Sequence, residues 1–96
     1  MVVHIVMFKF NDENKASNLI KVQKELNSLV EKIDELKSIE VGIDFNQSPR
    51  AFDLSLYSVF ESKEDLSAYA VHPEHLKVVE SIKSVTSESK VVDYIV

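Results

Sequence analysis

The chain opens with nine residues that are nearly all apolar and that have the two-residue period of a β-strand. Alternation puts Val2, His4, Val6, Phe8 and Phe10 on one face, and Val3, Ile5 and Met7 on the other. Because both faces are apolar, we expect both faces of this strand to be buried.

A helix follows, since the spacing of apolar residues changes from two to three and four. Its stripe comprises Leu19, Val22, Leu26, Leu29, Val30 and Ile33, with lysines and glutamates on the opposite side. The polar residues 11–14 predict the helix start, with Asp12 and Glu13 near the positive end of the helix.

Two strands are predicted next, at residues 37–45 and 52–61, separated by a loop in which Pro49 suits a turn position. The third strand would place Phe52, Leu54, Leu56 and Phe60 on one face, and Asp53, Ser55, Tyr57 and Val59 on the other.

The last third of the chain predicts two short helices and a strand. Ser62 and Asp65 have the spacing of a capping box and open a helix that reaches Tyr69. Pro73 disfavours helical geometry at His72 and suits the first turn of a new helix. That helix would carry His75, Val79 and Ile82, joined by Leu76, on the stripe facing the sheet, and residues 91–96 would form the last strand.

This order of elements predicts a single domain over residues 1–96 with the α+β, ferredoxin-like βαββαβ fold. Such a fold has an antiparallel four-stranded sheet with its helices on one face. The other face keeps apolar residues from the first and third strands, and no segment remains to cover it. We therefore expect a homodimer in which two sheets pack face to face.

Composition narrows the classes of partner. The 96 residues carry a formal net charge of -5, no cysteine and no concentrated run of basic residues. A phosphate-binding basic stripe is therefore absent, and we expect binding neither to nucleic acid nor to a membrane surface. The first apolar run is too short to span a bilayer and lacks a basic segment before it, which favours a cytoplasmic protein.

The candidate chemistry lies in the run from Tyr69 to His75, which holds two of the three histidines. A neutral His75 could accept a proton from an acidic carbon while Tyr69 donates a hydrogen bond to the developing enolate. The alternatives are structural: His75 as a buried helix-start residue, Tyr69 as a core residue, and His72 as part of the helix start beside Pro73.

His4 is the remaining candidate. It shares a strand face with Phe8, and a lone histidine on such a face is more often a core residue whose hydrogen bonds are satisfied. If that face lies under the helices, His4 would border the same pocket as His75. His4, His72 and His75 could also form a metal site. However, their spacing does not match a zinc hydrolase and no cysteine is present, so we expect no metal and no cofactor.

Several motifs together carry a family resemblance. They are Val3–Phe10, Glu40–Gly42, Ser48–Leu54, Phe60–Ser62, Leu66, Tyr69, His72–His75 and Val91–Tyr94. With these motifs, the chain resembles the stress-responsive A/B barrel domain (Dabb) family of the dimeric α/β-barrel superfamily. The resemblance implies a ferredoxin-like protomer and a barrel built from two sheets.

The resemblance implies two hypotheses for function. Most such domains have no assigned activity and some are linked to stress responses, which suggests a homodimeric domain that binds a small apolar molecule. One plant relative is a cofactor-free polyketide cyclase that makes olivetolic acid, and its acid/base pair corresponds to Tyr69 and His75. His4 and His72 also have counterparts there and are candidate substrate-binding residues. The sequence leaves open whether this chain is a cyclase- or isomerase-like enzyme at all.

Overall fold

Seven elements follow one another in the predicted order. The computed structural model describes residues 1–96. The elements are β1 (Val2–Phe10), α1 (Lys15–Lys32), β2 (Ser38–Ile43), β3 (Leu54–Phe60), α2 (Lys63–Ala70), α3 (Pro73–Lys83) and β4 (Thr86–Ile95). None of the helices is both long and apolar enough to cross a lipid bilayer.

The four strands form one antiparallel sheet in the order β2-β3-β1-β4. The predicted ferredoxin-like fold is therefore confirmed. The register places His4 of β1 between Ser58 of β3 and Asp93 of β4. This interior position of β1 places His4 beside one residue from the middle of the chain and one from near its C-terminal end.

The main core lies between the helices and one face of the sheet, as predicted. Strands β1, β2 and β3 and all three helices contribute to it, and its buried members include Phe10, Leu26, Leu29, Leu56, Phe60, Val78 and Ile82. Apolar side chains on this face are removed from water by the helices, and this burial is the main stabilising contribution to the fold.

The predicted starts of α2 and α3 are also confirmed. The Ser62 hydroxyl accepts a hydrogen bond from the Asp65 amide at 3.1 Å, and Pro73 occupies the first turn of α3. The start of α1 differs, because Asn14 is left-handed (φ 53°) and its side chain makes no capping bond. Asp12 and Glu13 lie before the helix, so the expected acidic first turn is absent.

Some predicted boundaries and faces are wrong. Strand β4 begins at Thr86 and not at Val91, because β1 supplies backbone partners as far as Phe10 whatever the side chains of residues 86–90 are. Phe45 lies beyond β2 and is 93% exposed. Val30 and Leu76 are exposed, and the buried residues of α3 are Val78, which was not predicted, and Ile82, which was.

Asp53 is not on the open face, because β3 begins one residue later. The residue is only 6% exposed. It accepts a hydrogen bond from the Phe10 amide at 2.8 Å and lies 3.3 Å from the Lys15 ammonium. Since the β1–β4 pairing is irregular between Lys9 and Phe10, the Asp53 carboxylate supplies that amide with a partner that a buried donor needs.

The second face of the sheet is not covered by any helix. Met7, Tyr57, Val92 and Tyr94 lie on it and are between 39% and 53% exposed. The register places Ile5 directly between Tyr57 and Val92, so the apolar surface continues across three strands.

Candidate functional site

A cavity of about 160 Å³ lies between α3 and the helix-covered face of the sheet. Apolar side chains make up most of its wall. The lining residues are His4, Val6, Phe8, Leu26, Leu56, His75, Val78, Val79, Ile82, Lys83, Thr86 and Ser89. Two of the four candidate residues, His4 and His75, are therefore part of one wall.

His75 lies in the first turn of α3 and is half-buried. Its Nδ1 is 3.1 Å from the Ala70 carbonyl oxygen. A carbonyl can only accept, so Nδ1 carries the proton and a neutral ring keeps its lone pair on Nε2. Burial lowers the pKa of His75 below its ordinary value of 6.5, and the nearby His4 and His72 lower it further, against the Ala70 hydrogen bond. A neutral imidazole with a free Nε2 is the form that accepts a proton.

Tyr69 packs directly against His75, with ring centroids 4.2 Å apart and planes tilted by 40°. It is 1% exposed and contacts Phe60 at 5.0 Å between centroids. Its hydroxyl is buried without a hydrogen-bond partner, and burial raises the pKa of Tyr69 to about 12. At neutral pH, Tyr69 is thus an uncharged donor with no acceptor, although its side chain does not line the cavity.

His4 is held by Asp93, which lies opposite it on β4. The His4 Nδ1 contacts the Asp93 carboxylate, so Nδ1–H donates and the ring orientation is set by the strand next to β1. The His4 ring also lies edge-on to Tyr69 and Phe60, at 6.4 Å between centroids in each case. His4, Tyr69 and His75 therefore form one continuous aromatic cluster.

His72 lies outside this cavity wall and has a clear structural contact. It is the N-cap of α3, and its Nδ1 accepts a hydrogen bond from the Glu74 amide at 3.1 Å. This satisfies one of the amides that every helix leaves free at its start. None of the three histidines belongs to a group of three or more side chains placed to hold a metal ion.

Sequence reasoning missed Asp93 and the lining residues Thr86 and Ser89. Asp93 lies within the Val91–Tyr94 motif, but only the β1–β4 register puts it beside His4. Thr86 and Ser89 lay outside the predicted last strand. A search for the polar partner of a histidine on a central strand, made across every neighbouring strand, could have found Asp93.

Comparison with known proteins decides the family. The sequence profile of the stress-responsive A/B barrel domain matches residues 2–96. The chain belongs to this family. The Dabb resemblance predicted from the motifs is therefore confirmed over nearly the whole chain.

Named relatives agree with this assignment. Two Arabidopsis thaliana proteins, both called stress-response A/B barrel domain-containing proteins, are 33% and 35% identical to this chain over 99% of its length. The alignments cover only 47% and 36% of those proteins, so the chain spans half or less of their length.

A solved structure of similar sequence shows the same fold. It is described as a dimeric protein of unknown function with a ferredoxin-like fold, from Bacteroides fragilis. It is 32% identical, with a TM-score of 0.88, and the match covers 97% of this chain and 93% of that one.

Proposed function

We propose that this chain is a homodimeric Dabb domain that binds a small apolar molecule in the cavity between α3 and the sheet. The observation that carries the proposal is the cavity itself, which is mostly apolar and has polar groups at a few positions. Binding sites for small molecules have this composition. An apolar protein cavity of about 150 Å³ holds benzene, so the volume suits a molecule of about that size.

The open sheet face supports the dimer. Exposed apolar residues from three strands lie on it, and a contiguous apolar surface of this kind marks an interaction site. The related Bacteroides protein is described as dimeric. Two sheets packed face to face would cover both surfaces at once. Light scattering at micromolar concentration tests this, and a monomeric mass would overturn it.

Ligand binding is tested by a fragment screen of apolar molecules against the full chain, read by thermal shift. The hits should be repeated on His75→Ala and, as a matched control, on His72→Asn. His75 lines the cavity, whereas His72 caps a helix, and Asn preserves a capping acceptor. We expect hits to weaken in the first variant and to persist in the second. Hits that persist unchanged in both variants would place the binding elsewhere.

The second candidate function is cofactor-free cyclase- or isomerase-like catalysis on a carbonyl compound. The free Nε2 of His75 and the partnerless Tyr69 hydroxyl beside it favour this hypothesis. His75 would remove a proton from the carbon next to the carbonyl, and Tyr69 would donate to the enolate oxygen after a small shift of its ring.

Proton exchange separates catalysis from binding alone. A ketone hit incubated in D₂O should exchange its α-protons faster with the wild-type chain, and NMR measures the rate. We expect this acceleration to be lost in His75→Gln and reduced about 10²-fold in Tyr69→Phe, as for removal of an oxyanion donor. Binding without accelerated exchange would leave the domain as a binding protein.

A further inference from the structure

The charge of the cavity wall points to a more definite ligand. Among the twelve lining residues there is no Asp or Glu, and Lys83 is the one permanent cation. The wall therefore differs in the sign of its charge from the chain as a whole, which has 16 acidic and 11 basic residues. The carboxylate of Asp93, which lies nearest in register, contacts His4 and does not line the cavity.

Lys83 has no carboxylate partner. The ion pairs of the protein engage five other lysines, at positions 15, 32, 37, 77 and 90. Lys83 and Ser89 are exposed, whereas Leu26, Leu56 and Ile82 on the same wall are buried. Lys83 and Ser89 therefore mark the open end of the cavity, and the three buried apolar residues mark its closed end.

The hydroxyl groups of Thr86 and Ser89 differ in whether they are free to donate a hydrogen bond. Thr86 donates its hydroxyl hydrogen to the Ile82 carbonyl at 2.9 Å. Ser89 has no such bond to the chain, so its hydroxyl is free to donate to a bound molecule. An ammonium and a hydroxyl donor at the open end, above an apolar wall, match an anionic group carried on an apolar body.

We propose that the cavity takes a small apolar monocarboxylic acid, with its carboxylate between Lys83 and Ser89 and its apolar body against Leu56 and Ile82. The inference rests on the proposed ligand-binding function and specifies the chemical class of that ligand. Lys83 is a specificity-determining residue in this assignment. Lys83 also lies in the last turn of α3, where the helix dipole favours a cation. A substitution of Lys83 therefore has to be measured for its effect on ligand preference and, separately, on helix stability.

The experiment compares benzoate with benzyl alcohol, a neutral molecule of similar size, by NMR titration of the backbone amides of Val78, Ile82 and Ser89 at pH 7. We expect benzoate to bind about three- to fivefold more tightly, which is the upper part of the range for an exposed ion pair. The preference should vanish in Lys83→Met and in 1 M salt, where charges are screened beyond about 3 Å. It should persist in Lys77→Met, a lysine of the same helix outside the cavity.

The outcomes distinguish the two proposals. Equal binding of both molecules, or a preference that survives Lys83→Met, would overturn the carboxylate assignment while leaving the apolar site intact. If neither molecule shifts the cavity amides, both the assignment and the proposed binding function fail. If Lys83→Met lowers the melting temperature but leaves the benzoate preference unchanged, Lys83 only stabilises α3 and does not select the ligand.

Discussion

The helix-covered face of the sheet and the open face differ in how their apolar side chains leave water. On the covered face, Phe60 is fully buried among helices of its own chain. On the open face, Tyr57 and Val92 remain substantially exposed. Strand β1 contributes alternate residues to both faces, so one step along a strand separates a residue that stabilises the fold from one available for assembly.

Polar residues are distributed differently as well. The covered face contains His4 and the buried Ser58, whose hydroxyl donates to the His4 carbonyl at 3.0 Å. Each is held by a specific partner, which is what burial of a polar group requires. The covered face therefore combines the core with the candidate site, whereas the open face mixes exposed apolar side chains with polar ones such as Ser55 and Lys90.

The largest loss of stability should come from truncating a buried side chain on the covered face. Phe60→Ala removes a fully buried ring that packs against Tyr69, and such truncations cost about 3–5 kcal/mol of unfolding free energy. Urea denaturation followed by circular dichroism measures the loss. A change below about 1 kcal/mol would contradict the burial.

A charged side chain on the open face should disrupt the dimer. Val92→Lys places an ammonium at the expected sheet–sheet contact and should weaken the dimer by about 2 kcal/mol or more, the size of an interface hot spot. Sedimentation velocity should show monomers at concentrations where the wild type is dimeric.

Val91→Lys is the matched control for this charge. Val91 is the adjacent valine on the edge strand and points to the opposite face, where it is also exposed. Its variant should stay dimeric. Dissociation of both variants to the same extent would mean that strand β4 itself, and not the open face, forms the contact.

A substitution at Tyr69 should change the unfolding free energy by less, and should increase it. A buried donor without a partner costs about 1–3 kcal/mol, so Tyr69→Phe should stabilise the ligand-free protein by about 1 kcal/mol while weakening any function that uses the hydroxyl. Thermal and urea unfolding of both proteins check the sign. Destabilisation by Tyr69→Phe would mean that an ordered water satisfies the hydroxyl.

Local patterns predicted much of the fold. The alternation in β1, the stripe of α1 and the starts at Ser62 and Pro73 all depend on residues within a few positions of one another, and the structure agrees with them. The family resemblance implied the pairing of Tyr69 with His75, and their ring centroids lie 4.2 Å apart in the structure.

Features that depend on long-range pairing could not be predicted in this way. His4 meets Asp93 across 89 positions, and Asp53 meets the Phe10 amide across 43. The start of β4 follows from the length of β1, since a strand extends wherever a neighbour offers unpaired backbone groups. A sequence pattern indicates which face a residue takes, but not which residue it faces.

The smallest predicted effect compares the two histidines of the His72–His75 run under acid. Because burial lowers the pKa of His75 below 6.5, the unfolded chain binds the proton more readily than the folded one. The stabilising contribution of a neutral His75 is therefore complete above the unfolded pKa and is lost as the pH falls below about 6.5. Urea unfolding at pH 7.5 and 5.5 should show a smaller loss in His75→Gln than in the wild type.

His72→Asn is the matched control for this substitution, because His72 lies outside the cavity wall and Asn keeps an acceptor for the Glu74 amide. If His75→Gln shows the same acid-dependent loss as the wild type, the ring of His75 is not desolvated by the cavity wall, and its assignment as a neutral base loses its physical support.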